Sequence, residues 1–253
     1  MTIALLYDIH GNLPALEAVL TDASDEGAER FVLGGDYAVF GPWPRETVER
    51  LRQIEGATWI RGNVDRWAAR PDDAPDDPVP RSALEACRDA LGRELVDELA
   101  ALPEQVVIDG VRYCHASPLS DVRSFFPEPG EGEGEGESEG ESGPEGDGAD
   151  EDELLAGATE ARVVFGHTHM PFKRAARGTA AARTDLVNPG SVGMPFDGDT
   201  RAAYALVRDD GAVEHRRVAY DAPASAAALR ERFDGPFAEV VARRIETARF
   251  DAG

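Results

Sequence analysis

The stretch that decides the fold lies near the start of the chain and reads TIALLYDIHGN over residues 2–12. Residues 2–7 form a short apolar run that a polar cluster ends, which is typical of a buried strand. A helix is predicted at residues 13–26, because Pro14 suits a first helical turn and Asn12 suits the N-cap. The polar cluster therefore lies between a strand and a helix, at the edge of a sheet where binding sites form.

The same alternation continues along the next part of the chain. Strands are predicted at residues 30–33 and 57–60, with a helix at residues 44–54 between them. The order strand, helix, strand, helix, strand is typical of a parallel sheet with crossover helices. Beyond it we predict a loop at residues 70–80, rich in Pro and Asp, and a long amphipathic helix at residues 82–102.

Short strands separated by turns dominate the second half. They are predicted at residues 105–108, 111–114, 162–165, 172–175, 186–188, 202–207 and 213–218. Asp109-Gly110 and Asp210-Gly211 are typical hairpin turns, so we expect this half to be more antiparallel. Two further helices are predicted at residues 224–233 and 236–249.

Composition limits the class of protein. Hydrophobic residues make up 42% of the 253 residues, which excludes a wholly disordered chain. No apolar run approaches about 18 residues, so no membrane span is predicted, and the first residues lack the basic flank of a signal peptide. We therefore expect a cytoplasmic protein. The formal net charge of -23 repels phosphate backbones and disfavours general nucleic-acid binding.

Acidic residues are unevenly distributed, and Lys173 is the only lysine. Residues 128–153 are rich in alternating Gly and Glu and contain 13 acidic residues and no basic one, which leaves -10 for the rest. Such a segment buries little apolar area, and we predict a disordered insertion within the domain rather than a calcium site, whose ligand spacing it lacks. The acid-rich, lysine-poor remainder resembles proteins of salt-loving archaea, which implies a halophilic protein.

Five polar clusters directly follow predicted strands. They are Asp8-Ile9-His10, Gly34-Gly35-Asp36, Gly62-Asn63-Val64-Asp65, His115 and Gly166-His167-Thr168-His169. Because alternate side chains of an extended segment point the same way, the Asp-x-His and His-x-His pairs can each face one centre. Carboxylate, amide and imidazole ligands without a thiolate suit two borderline divalent metal ions. Cys87 and Cys114 have no partner motif and are predicted to be buried thiols.

The order of these motifs, Asp-x-His, Gly-Asp, Gly-Asn-x-Asp, His and Gly-His-x-His, resembles that of the calcineurin-like metallophosphoesterases. The resemblance extends from residue 2 to about residue 218 and is strongest to their small bacterial and archaeal phosphodiesterases. It implies one domain over residues 1–253 with an α/β fold, a two-sheet β-sandwich flanked by helices in four layers. It also implies two metal sites: Asp8, His10 and His169 hold one ion, Asn63, His115 and His167 hold the other, and Asp36 bridges both.

The resemblance implies a hydrolase with two divalent ions, manganese first, while iron, zinc, cobalt and nickel also suit these ligands. A hydroxide shared by the ions would attack phosphorus in line, in a small phosphodiester or phosphomonoester substrate. Two other functions stay open: a phosphatase for phosphoproteins or dinucleoside polyphosphates, and a non-catalytic protein-binding scaffold like the retromer subunit of this fold. The scaffold function predicts degraded ligands, whereas all seven positions match here.

One position departs from the larger relatives, which carry a histidine as the leaving-group acid where this sequence has Val64. By the resemblance, position 64 is expected at the rim of the metal site. Asp65 is expected behind the ligands, where it orients a ligand histidine such as His10. We count Asp36, Asn63 and Asp65 as the candidate catalytic residues.

Two residues are candidate substrate contacts. Asn12 and Arg66 lie beside the motifs, although an N-cap role for Asn12 and a salt bridge for Arg66 would each be a sufficient explanation. Residues 188–191 are predicted to form a tight turn that supports the metal loops, and His215 is predicted to be structural.

Overall fold

The computed structural model describes residues 1–128, 151–178 and 184–252. Within these ranges, two mixed sheets of five strands each pack face to face. The strands are β1 (Thr2–Leu6), β2 (Ala28–Leu33), β3 (Thr58–Trp59), β4 (Gln105–Ile108), β5 (Val111–Cys114), β6 (Arg162–Val164), β7 (Phe172–Ala175), β8 (Asp185–Asn188), β9 (Ala202–Val207) and β10 (Val213–Val218). The helices are α1 (Leu13–Asp25), α2 (Pro44–Leu51), α3 (Asn63–Ala69), α4 (Pro78–Leu91), α5 (Arg93–Ala100), α6 (Glu151–Leu154), α7 (Ala222–Arg232) and α8 (Pro236–Thr247).

The first sheet has the order β10-β9-β1-β2-β3. β1, β2 and β3 run parallel, as the sequence predicts, whereas β9 pairs antiparallel with both β1 and β10. Side chains of β1 alternate: Ala4 and Leu6 pack in the cluster that the helices cover, and Leu5 packs in the cluster between the sheets. Because both faces of β1 are buried beyond its first two residues, the strand is apolar from Ile3 to Leu6.

The second sheet has the order β4-β5-β6-β8-β7. The prediction of a more antiparallel second half is wrong for its centre, because β5, β6 and β8 run parallel to one another. Antiparallel pairs form the edges, where Asp109 and Gly110 join β4 to β5 at positive φ and β7 pairs with β8. Turn signals predicted the hairpin correctly but carry no information on how the inner strands assemble.

The helices α3, α4 and α5 differ most from the sequence prediction. The long helix predicted at residues 82–102 is divided into α4 and α5 at Gly92, whose φ of 74° lies outside the helical region. α4 begins earlier than predicted, since Asp77 accepts a backbone N–H as N-cap and Pro78 occupies the first turn. α3 was not predicted, because its first residues are those of the polar cluster Gly62–Asp65.

Three apolar clusters hold the layers together. The largest lies between the first sheet and the helices, the second between the two sheets, and the third on the outer face of the second sheet. On that outer face Phe125 and Leu154 pack with Phe165 and Phe172, so a loop and the short α6 cover the sheet there. The predicted sandwich of two sheets flanked by helices is confirmed.

The acidic insertion predicted at residues 128–153 lies largely outside the described residues. Its last three residues belong to α6, where Glu151 accepts hydrogen bonds of 2.7 and 3.1 Å from Arg174. Both side chains are mostly buried, at 13% and 8% exposure. This end of the segment is part of the fold, while the disorder of residues 129–150 stays a prediction.

Cys87 and Cys114 are buried free thiols, as predicted, and burial raises the pKa of both. The thiols therefore stay protonated and unreactive near neutral pH. None of the helices in the described residues is long and apolar enough to cross a membrane.

Candidate metal centre

The carboxyl ends of β1, β2, β5 and β6 meet the start of α3 at one edge of the sandwich. The structure brings all seven sequence-predicted ligands together there. Asp8 and His10 follow β1, Asp36 follows β2, His115 follows β5, His167 and His169 follow β6, and Asn63 begins α3. Six of the seven are at most 4% exposed, and His167 is half-buried.

Five of these residues have a left-handed backbone. The φ angles are 53° at Asp8, 47° at His10, 58° at Asp36, 68° at His167 and 58° at His169. Residues other than Gly rarely adopt this region, and sparsely populated conformations cost about 1–3 kcal/mol each. Strained turns after the strands thus direct the side chains inward, a pattern that is concentrated at functional sites.

His10 and His169 face each other through unprotonated nitrogens. The Nδ1–H of His10 donates to the Val39 carbonyl, and that of His169 donates to the Met194 carbonyl. Because a carbonyl only accepts, each neutral ring keeps a lone pair on Nε2, and the two Nε2 atoms lie 3.1 Å apart. Asp8 Oδ1 lies 3.7 Å from His169 Nε2 and is buried without a hydrogen-bond partner. A cation between these three atoms would satisfy all of them.

A second set of ligand atoms surrounds His115. Its Nδ1–H donates to the Gly34 carbonyl, which directs Nε2 toward Asn63 Oδ1 at 2.8 Å. The same amide oxygen lies 3.0 Å from His167 Nδ1. An amide oxygen has no proton to donate to either ring. The His115 Nε2–H therefore donates to this oxygen in the metal-free protein. Once that proton is lost, His115, Asn63 and His167 offer three ligand atoms for a second cation.

Asp36 lies between the two sets. Its Oδ2 is 3.9 Å from His10 Nε2 and 3.4 Å from His115 Nε2. Asp8 Oδ1 also lies 3.9 Å from His115 Nε2, and ligand atoms of Asp8, Asp36 and His115 all fall within 4.8 Å of one another. One carboxylate oxygen of Asp36 can therefore contact a cation in either set, which fits a bridging ligand.

Burial and close contact shift the pKa values of these groups. Burial raises the pKa of Asp8 to about 8 and lowers those of His10 and His169. Burial alone would lower the pKa of His115, but Asp36 and Asp8 outweigh it and raise the value to about 10. Burial opposes ionisation of Asp36 as well, yet His115 holds its pKa below the usual range. A proton on His115 thus occupies the region between carboxylates that a cation would take.

Asp65 supports Asp36 from behind. Its carboxylate accepts the backbone N–H groups of Asp36 at 2.8 Å, Gly62 at 2.9 Å and Tyr37 at 3.2 Å. The expectation that Asp65 orients His10 is wrong, because a backbone carbonyl holds that imidazole. Asp65 instead fixes the turn that carries the Asp36 carboxylate.

Two glycines allow the backbone to approach the carboxylates. A Cβ atom at Gly62 would lie 2.0 Å from Asp36 Oδ1, and one at Gly166 would lie 2.4 Å from Asp8 Oδ2. Any side chain at these positions would displace a ligand.

The turn that begins at Asn188 supports two loops of the centre, as the sequence predicts. The Asn188 amide donates to the Gly166 carbonyl at 3.0 Å, and the Ser191 hydroxyl donates to the Asp8 carbonyl at 2.7 Å. His215 Nε2 lies 2.8 Å from the Asn188 carbonyl and donates to it, which agrees with a structural role.

Both candidate substrate contacts are hydrogen-bonded within the fold. Asn12 occupies the N-cap position of α1, but its buried side chain makes no cap and donates instead to a backbone carbonyl and to the Tyr220 hydroxyl. Arg66 binds Asp121 through Nε and Nη2 and Asp73 through Nη1. A phosphate would reach this guanidinium only by displacing one of its carboxylate partners.

Val64 does not lie at the rim of the site. Its side chain is 2% exposed and packs in the cluster under the helices, while its N–H donates to Asp36 Oδ1. The expectation for position 64 is therefore wrong, because the first turn of α3 directs this side chain into the core.

Sequence analysis missed the aromatic side chains beside His10 and His169. The Phe196 ring stacks on His169 with centroids 4.3 Å apart and an interplanar angle of 9°. The ring centroid of Phe40, a residue with a φ of 81°, lies 5.6 Å from that of His10. No local motif marks these contacts, and the Phe196 contact joins two segments that are separate in sequence.

Two packed mixed sheets with buried Asp, His and Asn ligands at their strand ends define a class of metal-binding α/β proteins. The model of the calcineurin-like phosphoesterase superfamily domain matches residues 1–210. The chain belongs to the calcineurin-like phosphoesterase superfamily. The chemistry of the ligand set fits divalent metal ions, since it combines buried nitrogen lone pairs with one oxygen of Asp8 that finds no donor.

Solved structures show the same architecture. A metallophosphoesterase from Sphaerobacter thermophilus is 27% identical, with a TM-score of 0.76 over 98% of this chain and 99% of that one. A hypothetical protein from Pyrococcus horikoshii is 20% identical, with a TM-score of 0.76 over 98% of each chain. An uncharacterized protein from Methanocaldococcus jannaschii is 28% identical over 236 residues, 87% of this chain and 88% of its own length. The similarity therefore spans nearly the whole chain.

Proposed function

We propose that the protein hydrolyses phosphodiester bonds with two divalent metal ions held by the seven ligands. The observation that carries the proposal is the pair of Nε2 lone pairs on His10 and His169, 3.1 Å apart beside the unpartnered Oδ1 of Asp8. Two neutral acceptors in such contact repel each other, and a cation between them would remove that repulsion. Membership of the superfamily supports phosphoester hydrolysis as the reaction.

Two such ions, when bound, polarise a phosphoryl group and activate water for in-line attack. The chain's part is to place the ligands. Asp8, His10 and His169 would hold one ion, Asn63, His115 and His167 the other, and Asp36 both. Asp65 keeps Asp36 in position through three backbone N–H groups. We propose manganese as the ion, since carboxylate and imidazole ligands without thiolate suit it.

A diester with a good leaving group is the favoured substrate class. Val64 is buried in the core, so position 64 supplies no proton to a departing oxygen. A leaving group that departs as a stable anion needs no such proton.

The test measures metal content and turnover together. Protein stripped with a chelator and reloaded with Mn²⁺ should bind two ions per chain and hydrolyse bis(p-nitrophenyl) phosphate. Asp36→Asn should lower turnover by more than about 100-fold. Mutation of a residue that only hydrogen-bonds to a metal ligand typically lowers activity about 10–100-fold, and loss of a ligand itself should cost more. Asn tolerates the left-handed backbone of Asp36, so the variant tests the ligand and not the turn.

Asp97→Asn is the matched control, since Asp97 is 61% exposed in an ion pair on α5. It should behave like the wild type in both measurements. Near-normal turnover in Asp36→Asn, or one ion per fully active chain, would refute the two-ion proposal.

A further inference from the structure

Four rings form a row that leads outward from the metal centre. His10 and His169 have centroids 4.8 Å apart, His169 and Phe196 4.3 Å, and Phe196 and Phe250 5.4 Å. Exposure rises along the ring row, from 3% at His10 and 4% at His169 to 39% at Phe250. The row therefore connects two buried ligands to an exposed aromatic ring at the surface.

The outer rings are held in place by both backbone and side chains. The Phe196 N–H donates to the His169 carbonyl at 3.3 Å, and the Gly198 N–H donates to the Ala248 carbonyl at 2.9 Å. Arg244 Nε donates to the Phe250 carbonyl, and its guanidinium lies 4.2 Å from the centre of the Phe250 ring. Because Arg244 covers one face of that ring, the exposed surface is its other face and its edge.

We propose that Phe196 and Phe250 form a subsite for a flat ring of the substrate, a nucleobase or an aryl group, carried by the phosphodiester at the metal centre. This inference rests on the proposed function. The two centroid distances of 4.3 and 5.4 Å put the Phe250 ring no more than about 10 Å from His169, within the span of a nucleoside monophosphate. Phe196 and Phe250 meet at 76°, so an incoming ring can stack on one and meet the other edge to face.

The opposite side of the centre offers no comparable surface among the described residues. There the lining of the cavity beside His115 contains no Phe, Tyr or Trp ring, and it combines polar groups such as Ser117 and Ser120 with the apolar Pro118 and Leu119. The proposed subsite therefore orients the substrate: its ring lies on the side of His169, and its polar remainder lies on the side of His115.

The experiment compares two esters with the same leaving group on Mn²⁺-loaded protein. One is the p-nitrophenyl ester of thymidine 5′-monophosphate, and the other is methyl p-nitrophenyl phosphate. Wild type should prefer the thymidine ester in kcat/KM, and Phe250→Ala should lower that preference about five- to tenfold, the value of one aromatic contact. Phe250→Trp should retain it. Bis(p-nitrophenyl) phosphate, which carries a second aryl group in place of the nucleoside, is the third substrate and distinguishes a preference for aryl groups from a preference for nucleobases.

Two further variants exclude a structural effect. Phe250→Leu keeps apolar bulk against Phe196 without a flat ring and should lower the preference as Phe250→Ala does. Phe233→Ala, on a ring that contacts Phe237 instead of the ring row, should keep the wild-type preference. A preference unchanged in Phe250→Ala and Phe250→Leu would overturn the subsite. So would an equal loss for both esters with loss of bound Mn²⁺, since Phe250 would then act through His169.

A binding measurement separates the subsite from the proposed function. Calorimetry with Mn²⁺-loaded protein should show thymidine 5′-monophosphate binding more tightly than inorganic phosphate, and Phe250→Ala should remove the difference. If neither ester is hydrolysed but this difference is found, the subsite stands and the proposed function fails. If both esters are hydrolysed and the nucleotide binds no better than phosphate, the proposed function stands and the subsite fails.

Discussion

Asp65 accepts the backbone N–H of Asp36 at 2.8 Å, and Asp36 itself lies at a left-handed φ of 58°. The same oxygen of Asp65 accepts the Gly62 N–H at 2.9 Å. One buried carboxylate thus joins the turn after β2 to the start of α3, and it holds the turn that carries Asp36, the residue proposed to bridge the two ions.

Asp65→Asn should therefore weaken metal binding although Asp65 contacts no ion. The amide keeps one acceptor oxygen but turns an NH₂ group toward backbone N–H donors, which displaces the turn that carries Asp36. Metal affinity should fall about 10–100-fold, as measured by competition with a chelator. Asp89→Asn, on the exposed surface of α4, is the control. Wild-type affinity in Asp65→Asn would show that the turn is held by other contacts.

Metal binding should stabilise the fold more as pH rises from about 6.5 to 8. Burial raises the pKa of Asp8 to about 8, and Asp36 and Asp8 outweigh burial to raise that of His115 to about 10. Both values lie above those of an unfolded chain, about 3.9 and 6.5. At these two ligands the metal-free fold holds more protons than the unfolded chain in this window, so the stability that the two groups contribute falls as pH rises.

Bound ions displace these protons, so the stability of the metal-loaded form does not fall with pH in this way. The gap in Tm between Mn²⁺-loaded and chelator-treated protein should widen by about 5 °C across this window. Thermal unfolding at several pH values measures it. A constant gap would mean that ions and protons do not compete for these ligands.

The proposed ligands were predictable because each lies in a short polar motif, or is a single polar residue such as His115, directly after an apolar strand. Asp8 and His10 lie two residues apart after β1, and the parallel order of the strands brings such clusters to one edge. What supports them was less predictable. The Asp65 carboxylate accepts a hydrogen bond from the Asp36 backbone and not from His10. Its side chain is oriented by α3, a helix whose first residues belong to a polar cluster and which was therefore not predicted.

Contacts between distant segments could not be predicted at all. Phe196 and Phe250 are ordinary apolar residues in the sequence, and only tertiary packing brings Phe196 to His169 and Phe250 to Phe196. The parallel centre of the second sheet was equally unpredictable, since β6 and β8 are neighbours in the sheet although β7 lies between them in the sequence. Local patterns specify elements and turns, whereas these pairings depend on burial summed over the whole chain.

Salt should stabilise this protein. The chain outside residues 128–153 carries -10, and like charges repel over about 10 Å at 0.1 M salt but only about 3 Å at 1 M. Screening also weakens ion pairs such as Arg216 with Asp22, but surface pairs contribute only about 0–1 kcal/mol each. We expect Tm to rise between low and molar KCl. A variant with two exposed acids neutralised, Asp72→Asn with Glu231→Gln, should depend less on salt. Equal Tm at both salt concentrations would exclude a halophilic protein.

The rate of hydrolysis should fall steeply as the pKa of the leaving group rises. Val64 supplies no acid and lies in the core at 2% exposure, and a general acid is worth about 10²–10⁴-fold. Val64→His should leave this dependence unchanged and should lower stability, because an imidazole buried there without a partner costs about 1–3 kcal/mol. Val64→Ala controls for lost packing. The measurement is a series of aryl phosphodiesters assayed on all three proteins. A flat dependence in the wild type would mean that another group already protonates the leaving oxygen. A flatter dependence in Val64→His would mean that α3 can turn position 64 toward the substrate.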